Sequence, residues 1–121
     1  RMQVITTDDG MTIVNDAYNA NPASMRAALD TLVGMKAARH VVIAGQMAEL
    51  ADSSAEHNAI VEYARSKKIE FIACETENYA TPSFSVDDAV KVVRNGGSDV
   101  AVLVKGSRVA ALERVVQLLT N

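Results

Sequence analysis

The sequence predicts an α/β fold, and three observations predict it. Short, continuous apolar runs at residues 41–44, 69–74 and 99–104 alternate with longer stretches whose apolar residues recur at helical spacing. Such unbroken runs are how strands buried on both faces read, as in parallel sheets. The connections between the two kinds of segment are short, which favours right-handed strand–helix–strand crossovers. At the N-terminus two brief strand-like runs flank Asp8-Asp9-Gly10, a hairpin signal. The expected architecture is a Rossmann-like, mostly parallel sheet with helices on both faces and an antiparallel hairpin edge at the N-terminus.

Taken in order, residues 3–6 and 11–14 read as the hairpin strands, Asp-Gly supplying the positive backbone angles of a tight turn. A polar loop follows, and a helix starts with Asn21 as cap and Pro22 as first residue. Asn offers its side-chain oxygen to an orphan helix amide, and proline lacks only an N–H that has no partner there. Met25, Ala28, Leu29, Leu32 and Val33 form its inner face, and the helix is expected to reach about Lys36. Gly34 and the cations Lys36, Arg39 and His40 mark its end, where positive charge complements the carbonyl dipoles. Val41–Ala44 is the next strand, stopping at Gly45. Ser53-Ser54-Ala55-Glu56 reads as a capping box before a helix with Ala59, Ile60, Tyr63 and Ala64 inward. Ile69–Cys74 is again a strand. Residues 75–84 are the least legible, and Pro82 argues for a loop or an edge strand. Ser85 and Asp88 open a helix with Val86, Ala89, Val90 and Val93 inward, and Asn95-Gly96-Gly97 stops it. Residues 99–104 make the last strand, and residues 107–119 a closing helix with Val109, Leu112, Val115, Val116 and Leu119 on one face.

At 121 residues the chain is long enough for one closed core. Its 49% hydrophobic and 22% charged content is that of a folded protein. A net charge of -3 argues against a general nucleic-acid surface, which needs clustered positive charge. The single cysteine, Cys74, lies in an apolar strand and reads as a buried reduced thiol, which suits a cytoplasmic location. No stretch approaches the roughly 20 apolar residues of a membrane helix, and no signal peptide opens the chain. There is no Gly-x4-Gly-Lys-Ser/Thr phosphate loop, no Gly-x-Gly-x-x-Gly fingerprint, no Cys/His cluster for zinc and no nucleophile elbow. The expectation is a domain that binds and positions and does not catalyse alone.

Polar residues concentrate where the strands end, which is where ligands bind open α/β sheets. The loop after the second strand holds Asn15, Asp16, Tyr18, Asn19 and Asn21. Asp16 can accept two ribose hydroxyls and the asparagines can donate and accept, although Asn and Asp also make ordinary turns. After Ala44 comes Gly45-Gln46-Met47-Ala48-Glu49-Leu50-Ala51, with His57 in the helix behind it. Glu49 and His57 are candidates for substrate contact or, more plainly, a pair that stabilises the loop. After Val104, Lys105-Gly106-Ser107-Arg108 runs toward the last helix. Cations beside a helix start suit a carboxylate or phosphate, and a basic surface loop is the plainer alternative.

The run Asp16-Ala17-Tyr18-Asn19-Ala20-Asn21-Pro22, followed by Ser24-Met25, resembles a motif of the Mur ligases, within them that of the branch that adds D-alanyl-D-alanine. Gly45-Gln46-Met47-Ala48-Glu49-Leu50-Ala51, then Ser53 and His57, is similar to the family pattern Gly-Asp-Met-x-Glu-Leu-Gly, departing at Gln46 and Ala51. Lys105-Gly106-Ser107-Arg108 with Glu113 resembles the closing motif, and Arg1-Met2 the hinge that follows the central domain. The resemblance implies a C-terminal domain, residues 1–121, cut from a longer three-domain ligase. It implies ATP and Mg2+, held mainly by the central ATPase domain, with UDP-N-acetylmuramoyl-tripeptide and D-alanyl-D-alanine as substrates in cytoplasmic peptidoglycan precursor synthesis. No nucleic acid or membrane partner is expected, and the protein is expected to be a monomer. On this resemblance Arg1, Asp16, Tyr18, Asn19 and Asn21 serve the nucleotide. Lys105, Ser107, Arg108, Glu49 and His57 serve the substrates, and Asp16 is expected to be replaceable without harm to the fold. Another Mur-type ligase, including a folate-directed one, and a free-standing nucleotide-binding module are the alternatives.

Overall fold

The structure, a computed structural model, describes residues 2–48 and 50–121. Its elements are β1 (Gln3–Thr6), β2 (Thr12–Asp16), α1 (Pro22–Val33), β3 (Arg39–Ala44), α2 (Ser53–Ser66), β4 (Glu70–Cys74), β5 (Ser83–Phe84), α3 (Val86–Asn95), β6 (Val100–Lys105), a short 3-10 turn (Arg108–Ala110) and α4 (Glu113–Thr120). They form one six-stranded sheet in the order β1-β2-β6-β3-β4-β5. Among the described residues only the β1–β2 pair is antiparallel, as the hairpin requires; the other pairings are parallel.

The last strand in the chain thus lies inside the sheet, between β2 and β3, and all of β6 is buried. Alternation explains why its sequence is uninterrupted: Val102 and Val104 join the core beneath α3 and α4, while Ala101 and Leu103 join the core beneath α1 and α2. Ile13, Ile43, Leu112 and Val115 fill the first layer, and Val14, Leu29, Leu32, Val42 and Ile60 the second. Each such side chain contributes about 1.5–3 kcal/mol on full burial, so both layers are needed to hold the sheet.

Several local expectations are corrected. The helix α1 ends at Val33, short of Lys36, and Arg39 and His40 lie in β3. The Arg39 guanidinium pairs with Glu70 and donates to the Val93 carbonyl at 3.2 Å, so it serves the C-terminus of α3 instead of α1. Gly96 makes room for it, since a Cβ there would stand 1.7 Å from Arg39 Nη1. The α2 cap is Asp52, one residue before the expected capping box, its carboxylate accepting from the Ala55 N–H at 3.2 Å. The continuous closing helix is also wrong. A 3-10 turn, then Ala111 in the left-handed region (φ 53), precede α4. The break keeps Leu112 buried while turning Val109, expected inward, out to 76% exposure. Residues 83–84 do form an edge strand directly after Pro82, parallel to β4.

Candidate functional site

Parallel register aligns three strand ends: Asp16 sits beside Lys105, and Lys105 beside Ala44. In-register residues project to the same face, so Asp16 and Lys105 share the α1 side. Lys105 Nζ donates to Asp16 Oδ2 at 2.8 Å and to the Asn19 carbonyl at 2.9 Å. The lysine side chain is 3% exposed and the aspartate 13%, so the ammonium is desolvated while the carboxylate keeps an edge at the rim. A charge out of water must be paired and bonded, and these two contacts do that. Asp16 therefore has a structural role beside the expected one, and its replacement is expected to cost the fold stability. Lys105 itself is enclosed, its ammonium committed to Asp16 and the Asn19 carbonyl.

The loop from β2 to α1 is organised by its own polar groups. Asn15 Oδ1 accepts from the Ala17 N–H at 3.3 Å and Asn19 Oδ1 from the Ala20 N–H at 2.9 Å. Asn21 caps α1 by accepting from the Ser24 N–H at 2.9 Å, and Ser24 Oγ accepts from the Asn21 N–H at 3.1 Å. Asn21 is thus a structural cap, its side chain committed to the helix. Tyr18 is different, a residue 55% exposed. Arg108 lies over that ring at 4.9 Å and donates to its hydroxyl at 3.4 Å. A cation on an aromatic face gains about 0.5–1 kcal/mol at an exposed site, enough to pre-set the arginine and weak enough to release it.

Residues 105–108 do not run into an α-helix. They enter the 3-10 turn, so the expected α-helix N-terminus is absent at this point. Ser107 is 2% exposed, and its Oγ has no hydrogen-bond partner among the described residues. On the opposite, α4 side of the rim, a cavity of about 420 Å³ is lined by Asn15, Ala17, Tyr18 and Glu113. Tyr18 therefore both lines the cavity and carries Arg108 on its ring.

The loop after β3 is held from within. His57 is fully buried; its Nε2 accepts from the Met47 N–H at 2.9 Å, which makes Nδ1 the protonated nitrogen, donating to the Ser53 carbonyl at 2.6 Å. Both ring nitrogens are engaged within the chain, so in this structure His57 braces the loop. Tyr79, buried and unremarked in the sequence, donates to the Gly45 carbonyl at 2.7 Å. Its only sequence signal was an aromatic in an otherwise polar segment. Arg1 and Glu49 lie outside the described residues.

Acidic, amide, aromatic and basic groups are thus brought together at the ends of the parallel strands of an α/β domain. Residues 1–121 match the family described as Mur ligase, glutamate ligase domain, and the chain belongs to that family. It is similar to the UDP-N-acetylmuramoyl-tripeptide–D-alanyl-D-alanine ligase of Escherichia coli, with 33% identity over 132 residues, covering 98% of this chain and 29% of that protein. The ligase of the same name from Mycobacterium tuberculosis strain H37Rv is 48% identical over 66 residues, 50% of this chain and 13% of the relative. Among solved structures, MurF from Acinetobacter baumannii superposes with TM-score 0.83 at 25% identity, covering 99% of this chain and 29% of that one. MurF ligase from Thermotoga maritima in complex with ADP shares the fold, with TM-score 0.76, 21% identity, and coverage of 98% and 30%. The chain spans less than a third of the length of these relatives.

Proposed function

We propose that this chain is the C-terminal domain of a longer, cytoplasmic, ATP-dependent ligase that joins D-alanyl-D-alanine to UDP-N-acetylmuramoyl-tripeptide in peptidoglycan precursor synthesis. The observation that carries the reading is the meeting of residues 16–19 with residues 105–108 at one rim of the sheet. Its support is the 33% identity to a ligase of that name over nearly the whole chain. In the reaction, the tripeptide's carboxylate takes the terminal phosphoryl group of ATP, releasing ADP and leaving an acyl phosphate. The dipeptide's amine then attacks the acyl carbon; phosphate departs, the nitrogen loses a proton, and the C–N bond is made.

This chain would bring its rim down on that centre. Asp16, aligned by Lys105, accepts hydroxyls of the nucleotide's ribose, and the exposed Tyr18 ring offers a face to the base. Asn19 and Asn21 hold the loop that carries them. Arg108, on leaving Tyr18, takes the dipeptide carboxylate through two parallel bonds, and the unpartnered Ser107 hydroxyl gains an acceptor or donor there. Lys105 acts through Asp16. Arg1 is assigned to the phosphates and Glu49 to the substrate side. A carboxylate already held by an ammonium is a poor ligand for a divalent cation, so Mg2+, which neutralises the phosphates, is assigned to the central domain. Closing the domain excludes water from an acyl phosphate that water would hydrolyse.

The test uses the longer protein, following phosphate release and dipeptide addition. Tyr18→Ala should raise KM for ATP and Arg108→Met KM for the dipeptide, each on the order of tenfold, with the fold unchanged. Normal kinetics in both variants would refute the assignment of this rim.

A further inference from the structure

The loops that meet at the rim are joined beneath it by main-chain contacts with almost no tolerance. The Gly45 N–H donates to the Lys105 carbonyl and the Ser107 N–H to the Gln46 carbonyl, both at 2.9 Å. Between them the two glycines touch: a Cβ on Gly106 would stand 3.0 Å from Gly45 Cα, and one on Gly45 2.8 Å from Ala110 Cβ. Residues 45–47 and 105–107 are therefore tied to one another directly. On its other side the 45–47 segment is gripped by two buried rings, Tyr79 through the Gly45 carbonyl at 2.7 Å and His57 through the Met47 N–H at 2.9 Å. The rings pack edge to face with centroids 4.6 Å apart, and Phe71 closes on Tyr79 at 4.8 Å. Burial drives the Tyr79 hydroxyl well above its ordinary range, so it stays protonated and always donates.

We propose that Tyr79 is a positioning residue: its hydroxyl sets the Gly45–Met47 turn and, through it, the placement of the Lys105–Arg108 loop against Asp16. It touches no reacting group and acts through the two glycines. A ring without the hydroxyl would fill the same space, as Phe71 does beside it, so packing alone does not call for tyrosine. Among the described residues the hydroxyl has one partner, and that partner lies at the end of β3 beside Lys105. The consequence for catalysis rests on the ligase reading above; the consequence for the loop does not.

Tyr79→Phe keeps the ring and deletes the bond. In this chain, amide hydrogen exchange should rise on the order of tenfold at Ser107 and Met47, while Val42 and Leu103 in the sheet interior change far less. Phe71→Leu is the companion variant, loosening the packing with the hydroxyl kept, and should not single out Ser107. Equal acceleration at all four amides, or none at Ser107, would overturn the proposal. In the longer ligase, Tyr79→Phe should raise KM for the dipeptide several-fold with kcat nearly unchanged. Selective exchange with unaltered kinetics would uphold Tyr79's hold on the loop and overturn the placing of the loop in the reaction site.

Discussion

Replacing Asp16 by Asn tests whether the Lys105 ammonium depends on one carboxylate. The lysine side chain is 3% exposed and its hydrogen bonds run to Asp16 and the Asn19 carbonyl. Removing the charge of one partner of a buried pair costs about 3–5 kcal/mol, because the other charge stays behind without compensation. Asparagine keeps an oxygen for the ammonium, and Asp16 lies near water, so the lower end applies: about 3 kcal/mol. A domain of this size holds roughly 0.05–0.15 kcal/mol per residue in total stability, so the variant should fold with a clearly reduced margin. Urea unfolding at pH 7 measures the loss as a lowered midpoint with unchanged m-value. Combining Asp16→Asn with Lys105→Met, an isostere without charge, should recover much of it, giving a coupling of at least about 1 kcal/mol. A loss below about 0.5 kcal/mol, or strict additivity in the double variant, would refute the view that this pair is desolvated and mutually dependent.

Three further outcomes follow from the geometry. Gly45→Ala would put a methyl 2.8 Å from Ala110 Cβ and 3.0 Å from a Leu112 methyl, and should destabilise the chain by about 1–3 kcal/mol in thermal unfolding. Asn21→Ala removes the α1 cap and should cost about 1 kcal/mol in the same assay, whereas Asn21→Ser should cost much less. Burial pushes the Cys74 thiol up from 9.0 to about 11, so the native state holds its proton where the unfolded chain has released it. Its contribution to stability is complete below about pH 9 and is lost as pH rises toward 11, by up to about 2–3 kcal/mol. The difference in stability between wild type and Cys74→Ala should shrink across that window, and thiol reagents should label the native protein slowly at pH 8.

Much of this molecule could be read in one dimension because burial on both faces leaves a local mark. Val41–Ala44 and Val100–Val104 have no polar interruption since each face meets a helix layer. Asn21-Pro22 and Ser85 announce their helices because caps act within three residues. The polar loop at 15–21 was visible as more hydrogen-bonding capacity than a turn needs, and the loop at 105–108 as a pair of cations after a buried strand. Their relation to each other was not. Asp16 and Lys105 are 89 residues apart, and they meet because β6 inserts between β2 and β3. Strand order is settled by which edges pair and which faces cover, and no local pattern records it. The same holds for Arg39 reaching the end of α3, for the left-handed break at Ala111, and for Tyr79 beneath Gly45. Local chemistry determined which segments were strands and helices and where polar groups gathered. Long-range packing decided which of those groups share a charge, which are sealed from water, and which still face it.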